Sequence, residues 1–93
     1  MAVWYKRANN INTPLSVWTT ATRPASPVDG QLGKNTTIGG IETYDASTAK
    51  WKILNGVWTT ATRPTGMAEG SIGLNTDTGY GLEAYTDGEW QII

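Results

Sequence analysis

The octapeptide VWTTATRP occurs twice in the chain, at Val17–Pro24 and again at Val57–Pro64. The similarity continues at the same offset, where the residues that recur are Gly30 as Gly70, Gly33 as Gly73, Asn35 as Asn75, Thr36 as Thr76 and Gly39 as Gly79. After small changes in length, three more residues return, namely Glu42 as Glu83, Tyr44 as Tyr85 and Trp51 as Trp90. A repeat of this period is typical of a supersecondary unit that must pack against copies of itself. We therefore interpret the chain as a structural protein built from repeated units, and not as a catalyst.

The size and composition of the chain limit how it can be stabilised. It has 93 residues and contains neither Cys nor His, so disulfides, thiol chemistry, zinc fingers and histidine-based catalysis are excluded. A domain this small buries only roughly 60–65% of its unfolded surface, which makes its stability marginal. We therefore expect self-association to supply the missing stability, and we expect no cofactor and no metal.

The charge pattern argues against two classes of partner. The formal net charge is −1, whereas binding to nucleic acid favours a basic surface. No apolar run approaches the ~20 residues that a membrane-spanning helix needs.

The chain has five Trp, four Tyr and no Phe. Aromatic side chains with a polar group are common at interfaces.

The sequence predicts an all-β fold, because no window has the helical spacing of apolar residues and period-two alternation is frequent. In the second repeat we expect strands over 70–76, 80–86 and 89–93, with a turn at 77–79 and a hairpin turn at Asp87-Gly88. In the first repeat the corresponding strands are 30–36, 41–45 and 50–54. Each VWTT segment is also predicted to be a strand, and Asn55-Gly56 is predicted to be a hairpin turn that joins 50–54 to the second VWTT.

The expected organisation is therefore two tandem antiparallel β-meander repeats of about 40 residues, assembled as a trimer. The predicted boundaries are an anchoring N-terminal arm at 1–16, repeat 1 at 17–56 and repeat 2 at 57–93. The ranges 24–29 and 64–69 each begin with a proline, which ends the preceding strand. We therefore expect irregular, exposed connectors at these positions.

An arginine and a glutamate recur together in both repeats. We predict that Arg23 forms a bidentate ion pair with Glu42, and Arg63 with Glu83, within a chain or between subunits. The alternative is a set of solvated surface charges that contribute little. A lone glutamate could act as a general acid, but catalysis needs a second group held in a cleft. We therefore expect no catalytic residue and no enzymatic activity.

The residues that recur are expected to pack within the repeats or between subunits. This predicted packing set comprises Trp18, Arg23, Pro24, Glu42, Tyr44, Trp51, Trp58, Arg63, Pro64, Glu83, Tyr85 and Trp90. The alternative for the aromatic members is an exposed platform that stacks on sugar rings. Scattered Asp residues without a D-x-D-x-D-G loop do not support calcium binding.

The N-terminal arm carries a compact group of aromatic and basic residues, Trp4, Tyr5, Lys6 and Arg7. Such a segment could insert into a groove or add a strand to an exposed sheet edge on an acidic particle surface. We therefore predict that these four residues anchor the chain. In the rival interpretation, residues 3–7 complete the chain's own sheet and the C-terminal repeat makes the attachment.

The repeated pattern is Arg-Pro, then Gly-x-x-Gly-x-Asn-Thr, a glycine turn, Glu-x-Tyr and a Trp close to the end of the unit. It resembles the short modules that recur in bacteriophage virion proteins, especially head fibres, capsid decoration proteins and tail-fibre segments. The resemblance covers about residues 17–93. This chain departs from the usual Tyr-Asp-Gly turn, since it has Tyr44-Asp-Ala and Tyr85-Thr-Asp-Gly instead.

The resemblance implies a trimeric, β-rich, non-enzymatic structural protein of the virion, located on the capsid surface or the tail. Its implied partners are other copies of itself and the major capsid protein or another virion protein, with cell-surface glycans as further candidates. Capsid decoration or a head fibre is the favoured role. A tail-fibre or baseplate attachment segment and a glycan-binding β-module are the alternatives.

Overall fold

The computed structural model describes residues 15–93, which form two four-stranded sheets in tandem. The strands of the first sheet are β1 (Val17–Trp18), β2 (Leu32–Asn35), β3 (Gly40–Asp45) and β4 (Lys50–Asn55). Those of the second are β5 (Val57–Trp58), β6 (Ile72–Asn75), β7 (Leu82–Thr86) and β8 (Glu89–Ile92). The prediction of an all-β fold with two tandem repeats is confirmed. Within residues 15–93, no helix is long and apolar enough to cross a membrane.

Both sheets have the same topology. In the first, β2, β3 and β4 form the predicted antiparallel meander, and β1 is added at its edge parallel to β2. In the second, β6, β7 and β8 form the meander, and β5 runs parallel to β6. The first strand of each repeat is parallel because a long connector brings the chain back beside it, a connection that a tight hairpin cannot make.

Each VWTT segment is a strand over its first two residues only, so the predicted strand is too long. The next residues form a single 3-10 turn, Thr20–Thr22 in repeat 1 and Thr60–Thr62 in repeat 2. Threonine hydroxyls stabilise the turn in place of a sheet ladder. In repeat 1, the Thr19 backbone N–H donates to Thr22 Oγ1 at 2.8 Å. The turn directs the following Arg-Pro back across the inner face of the sheet.

One of the two predicted hairpin turns is present. Asp87 and Gly88 both have positive φ, 53° and 82°, as a type I′ turn requires. The prediction for Asn55-Gly56 is wrong, because β4 and β5 belong to different sheets. Gly56 is needed for packing, since a Cβ there would lie 2.6 Å from Trp58 Cζ3. The Asn55 side chain accepts a hydrogen bond from the Ile41 N–H at 2.7 Å.

The second connector joins the two repeats. The Ala68 N–H donates to the Trp51 carbonyl at 3.0 Å, and the Ile53 N–H donates to Ser71 Oγ at 2.9 Å. These bonds occupy the outer edge of β4. Met67 and Ala68 are each only 2% exposed, so the prediction that both connectors are exposed is wrong for this one. Met67 and Ala68 are buried where the connector covers a sheet edge that would otherwise be open.

Candidate functional site

The inner face of each sheet is built around one indole ring that lies against a glycine. In repeat 2, a Cβ added at Gly73 would lie 2.0 Å from Trp58 Cη2, and in repeat 1 one at Gly33 would lie 2.1 Å from Trp18 Cη2. The ring can occupy this position only because the facing strand has no side chain there. The same contact fixes the direction in which the indole N–H points.

In repeat 1 the Trp18 indole N–H points to a buried glutamate. Trp18 Nε1 donates to Glu42 Oε2 at 2.7 Å, and Asn35 Nδ2 donates to the same oxygen at 3.0 Å. Arg23 adds two bonds, from Nε to Oε2 at 2.8 Å and from Nη2 to Oε1 at 2.7 Å. The Glu42 side chain has no exposed surface. Its charge is therefore neutralised by a bidentate arginine and solvated by four protein donors instead of water.

Repeat 2 builds the same network around Glu83, whose side chain also has no exposed surface. Trp58 Nε1 donates to Glu83 Oε1 at 2.9 Å and Arg63 Nε donates at 3.1 Å. Arg63 Nη2 bonds the other carboxylate oxygen, and Asn75 Nδ2 donates at 3.3 Å. The predicted pairing of Arg23 with Glu42 and of Arg63 with Glu83 is confirmed, in both cases within one repeat.

One threonine of each octapeptide positions the asparagine. Asn35 Nδ2 also donates to Thr20 Oγ1, and Asn75 Nδ2 to Thr60 Oγ1, each at 3.1 Å. The amide oxygen of Asn75 accepts from the Asp77 backbone N–H at 3.0 Å. Every buried side-chain nitrogen and oxygen atom in the described residues has a hydrogen-bond partner. We refer to each cluster of tryptophan, arginine, asparagine and glutamate as the carboxylate network of its repeat.

The two glutamates are held in the charged state. Burial raises the pKa of Glu42, but the hydrogen bonds from Arg23, Trp18 and Asn35 outweigh it and leave that pKa below the ordinary 4.5. The Arg63 hydrogen bond is the main cause that lowers the pKa of Glu83, and burial opposes it. In this charged state the carboxylates accept the hydrogen bonds that hold each network together.

Further aromatic rings pack against the tryptophan of each network. In repeat 1, Trp51 lies between Trp18 and Tyr44, with ring centroids 5.3 Å and 5.1 Å away. In repeat 2, Trp90 lies between Trp58 and Tyr85 at 4.7 Å and 5.2 Å. The two repeats differ in how the guanidinium is covered, because Arg23 lies over Trp51 whereas Arg63 lies over Tyr80. Such contacts add a cation–π attraction to the ion pair.

The structure thus brings ten members of the predicted packing set into the two networks and their aromatic covers. Trp18 and Trp58 are only 7% and 4% exposed in a single chain, so an assembly has little of their surface left to cover. Pro24 and Pro64 follow the arginines, and the Pro64 carbonyl accepts a bond from Trp90 Nε1 at 3.0 Å. Contact of this set with a second chain stays a prediction. The predicted anchoring residues, Trp4, Tyr5, Lys6 and Arg7, lie outside the described residues.

Sequence reasoning missed Asn35 and Asn75 as network members, and it missed Met67 and Ser71 at the junction. The asparagines recur at the same offset as the octapeptide, so their recurrence was an available signal. Met67 and Ser71 have no such signal, because the corresponding residues of repeat 1 are Pro27 and Gln31.

A groove of about 340 Å³ opens between the repeats, and both arginines line it. Among the described residues that line it, threonines predominate and there is no carboxylate. Within residues 15–93, no three His, Cys, Asp or Glu side chains are grouped closely enough to hold a metal ion. Comparison of the chain with protein-family models, with curated proteins and with solved structures found no match in any of the three.

Proposed function

We propose that the chain is a non-enzymatic structural protein of a bacteriophage virion, a capsid decoration or head-fibre module that assembles as a trimer on the particle. The observation that carries the proposal is the repetition of the carboxylate network. The residues that recur most strictly hold each repeat together, which is the use expected of a repeated sequence in a packing module. The choice of a phage virion depends on the resemblance of the repeated motif.

The proposal has a direct test on particles. An antibody raised against the chain and carrying a gold label should mark the capsid of intact source virions in electron micrographs. Label confined to the tail would favour the alternative, a tail-fibre or baseplate attachment segment. Virions without label, from preparations in which mass spectrometry also fails to find the chain, would refute both roles.

The anchoring role of the N-terminal arm can be tested separately. A variant that lacks residues 1–12 should remain folded and associated, yet fail to rebind particles stripped of the protein. A second variant, in which Trp4 and Tyr5 alone are replaced by serine, separates loss of the aromatic pair from loss of the whole segment. Undiminished rebinding by both variants would show that another part of the chain makes the attachment.

The glycan-binding alternative predicts a different surface. Trp18, Trp51 and Trp58 are buried within the repeats, so they offer no ring face to a sugar. Tyr80 is exposed, but its ring lies against the Arg63 guanidinium. Glycan-array binding by a monomeric chain, abolished by Tyr80→Ala, would favour this alternative over the structural role.

A further inference from the structure

The outer face of the second sheet is largely apolar, and its polar residues are Gln91, which pairs with Ala84, and Thr86 and Glu89 at one end. Gly73 and Asn75 of β6 face the core and are buried, so the alternate residues Ile72 and Leu74 face outwards and are exposed. Strand pairing places Val57 and Leu82 on either side of Leu74. We call the apolar part of this surface the β5–β8 outer face, and its members are Val57, Ile72, Leu74, Leu82, Ala84 and Ile93.

The large side chains of this face are well exposed. Five of the six members are between 39% and 74% exposed, and Ile93 is placed beside Leu82 because the Ile93 N–H donates to the Leu82 carbonyl at 2.9 Å. Together they form a patch on the order of 400–500 Å², near the upper end of what a monomeric protein usually exposes. None of these six residues carries a charge, and Glu89 lies at the end of β8, opposite Thr86.

Repeat 1 shows that the fold does not require this composition. At the position of Leu74 in β6, the first repeat has Lys34 in β2, which pairs with Val17 and Ile41. At the position of Gln91 in β8, it has Lys52 in β4, which pairs with Thr43. The corresponding outer face of repeat 1 thus carries two ammonium groups among its apolar residues. Since the same sheet folds with lysines there, the apolar side chains of repeat 2 are not needed to build the sheet.

We propose that the β5–β8 outer face is the surface through which copies of the chain associate, with the same face of a second copy as its occupant. An uncharged face has nothing to pair with the charges of a nucleic acid or an acidic peptide, whereas it is complementary to itself. In a closed symmetric oligomer a patch that faces the symmetry axis can meet its own copies. A stable interface buries ~800 Å² per partner, and a patch of this size supplies the apolar centre of one.

This inference rests on the self-association that the proposed function includes, and it adds which surface is used. It also makes the two repeats different in role. Repeat 2 holds the oligomer together, whereas the lysine-bearing face of repeat 1 stays in contact with water.

The chain itself offers a matched pair of variants as a test. Leu74→Lys gives repeat 2 the residue that repeat 1 already tolerates, so it should leave the circular dichroism spectrum unchanged. It should raise the dissociation constant of the oligomer at least tenfold in sedimentation equilibrium. The control, Lys34→Leu, should leave the dissociation constant unchanged. A wild-type oligomer that Leu74→Lys does not weaken would overturn the proposal for this face while leaving the proposed oligomer intact.

A second measurement does not depend on how that variant folds. The chain lacks cysteine, so Ala84→Cys introduces a single thiol on the face, and Thr43→Cys introduces one at the equivalent position of repeat 1. We expect a thiol reagent to modify the first at least tenfold more slowly than the second in the oligomer. Equal rates would refute coverage of the face. A protected thiol in a protein that sediments as a monomer would refute a second copy as occupant and indicate coverage by residues 1–14 of the same chain.

Discussion

At the scale of single residues, the tryptophan and the arginine of each octapeptide bind one buried carboxylate. A carboxylate without exposed surface is costly unless donors replace its water. Glu42 has donors from an indole, an amide and a guanidinium within 3.0 Å. Removal of one donor should therefore lower the free energy of unfolding by more than the loss of a surface ion pair does.

We predict that Arg23→Ala lowers the free energy of unfolding by about 3 kcal/mol, because it leaves a buried carboxylate without its counter-charge. Glu42→Ala should cost a similar amount, and the double variant less than the sum of the two. Denaturant unfolding at one fixed protein concentration measures all three. The control Lys34→Ala, an exposed residue of the same repeat, should change stability by less than about 0.5 kcal/mol. Small, additive effects of the two network substitutions would contradict a coupled pair.

Stability should also depend on pH in the acid range. The folded-state pKa values of Glu42 and Glu83 lie below 4.5, so the unfolded chain binds these protons first as pH falls. The contribution of the ionised carboxylates is thus fully present above about pH 4.5 and is lost as pH falls through the lower folded-state values. Unfolding free energies measured between neutral pH and pH 3 should decrease accordingly. The double variant Glu42→Gln with Glu83→Gln, less stable at neutral pH, should show a shallower decrease, and an equal slope would assign the acid sensitivity to other groups.

The network could be predicted from the sequence in part. The Arg–Glu pairs follow from the recurrence of two opposite charges. The roles of Trp18 and Asn35 do not, because an indole and an amide give no charge signal and their bonds depend on the depth at which the ring is buried. Recurrence marks such residues as important without showing which atoms they contact.

At the scale of strands, period-two alternation identifies a strand but does not say which face is the core. Ile72 and Leu74 alternate with Gly73 and Asn75, and the structure turns Gly73 and Asn75 inward. The reason is that the volume of the Trp58 ring fills the core and needs a facing position without a side chain. A pattern of apolar residues alone cannot reveal an arrangement in which a large ring and a glycine replace two medium-sized side chains.

We therefore predict that Gly33→Ala destabilises the fold more than the addition of one methyl group usually does. The added methyl would meet the Trp18 ring, since the Cβ would lie 2.1 Å from Cη2, so the indole must move away from Glu42. Overpacking of this kind costs about 1–3 kcal/mol. The free energy of unfolding should fall, and the tryptophan fluorescence should change. Lys34→Ala, the adjacent position on the opposite face of β2, should leave both unchanged, and equal results for the two variants would contradict the packing described.

At the scale of the whole molecule, the repeats are joined by more than a peptide link. The connector of repeat 2 occupies the edge of β4, and Arg23 Nη2 of repeat 1 lies 4.0 Å from Met67 Sδ of repeat 2. In tandem repeats, stability is approximately the sum of the units and of the contacts between neighbours. The buried residues of the two repeats also form one hydrophobic cluster, which contains Ile38 and Ile53 of repeat 1 with Trp58 and Met67 of repeat 2. Weakening this junction should therefore reduce the coupling between the repeats.

Ser71 is the group through which this coupling can be tested. Its fully buried hydroxyl accepts from the Ile53 N–H and donates to the Ala68 carbonyl at 2.9 Å each. Ser71→Ala leaves a buried N–H of β4 without an acceptor, which should cost about 1–3 kcal/mol. The amide of Ile53 should exchange its hydrogen faster by a corresponding factor, and repeat 1 should begin to unfold before repeat 2. Ser26→Ala, in the exposed connector of repeat 1, is the control and should alter neither. Unchanged protection of the Ile53 amide in Ser71→Ala, with a single unfolding transition at the original denaturant concentration, would show that the junction does not couple the two repeats.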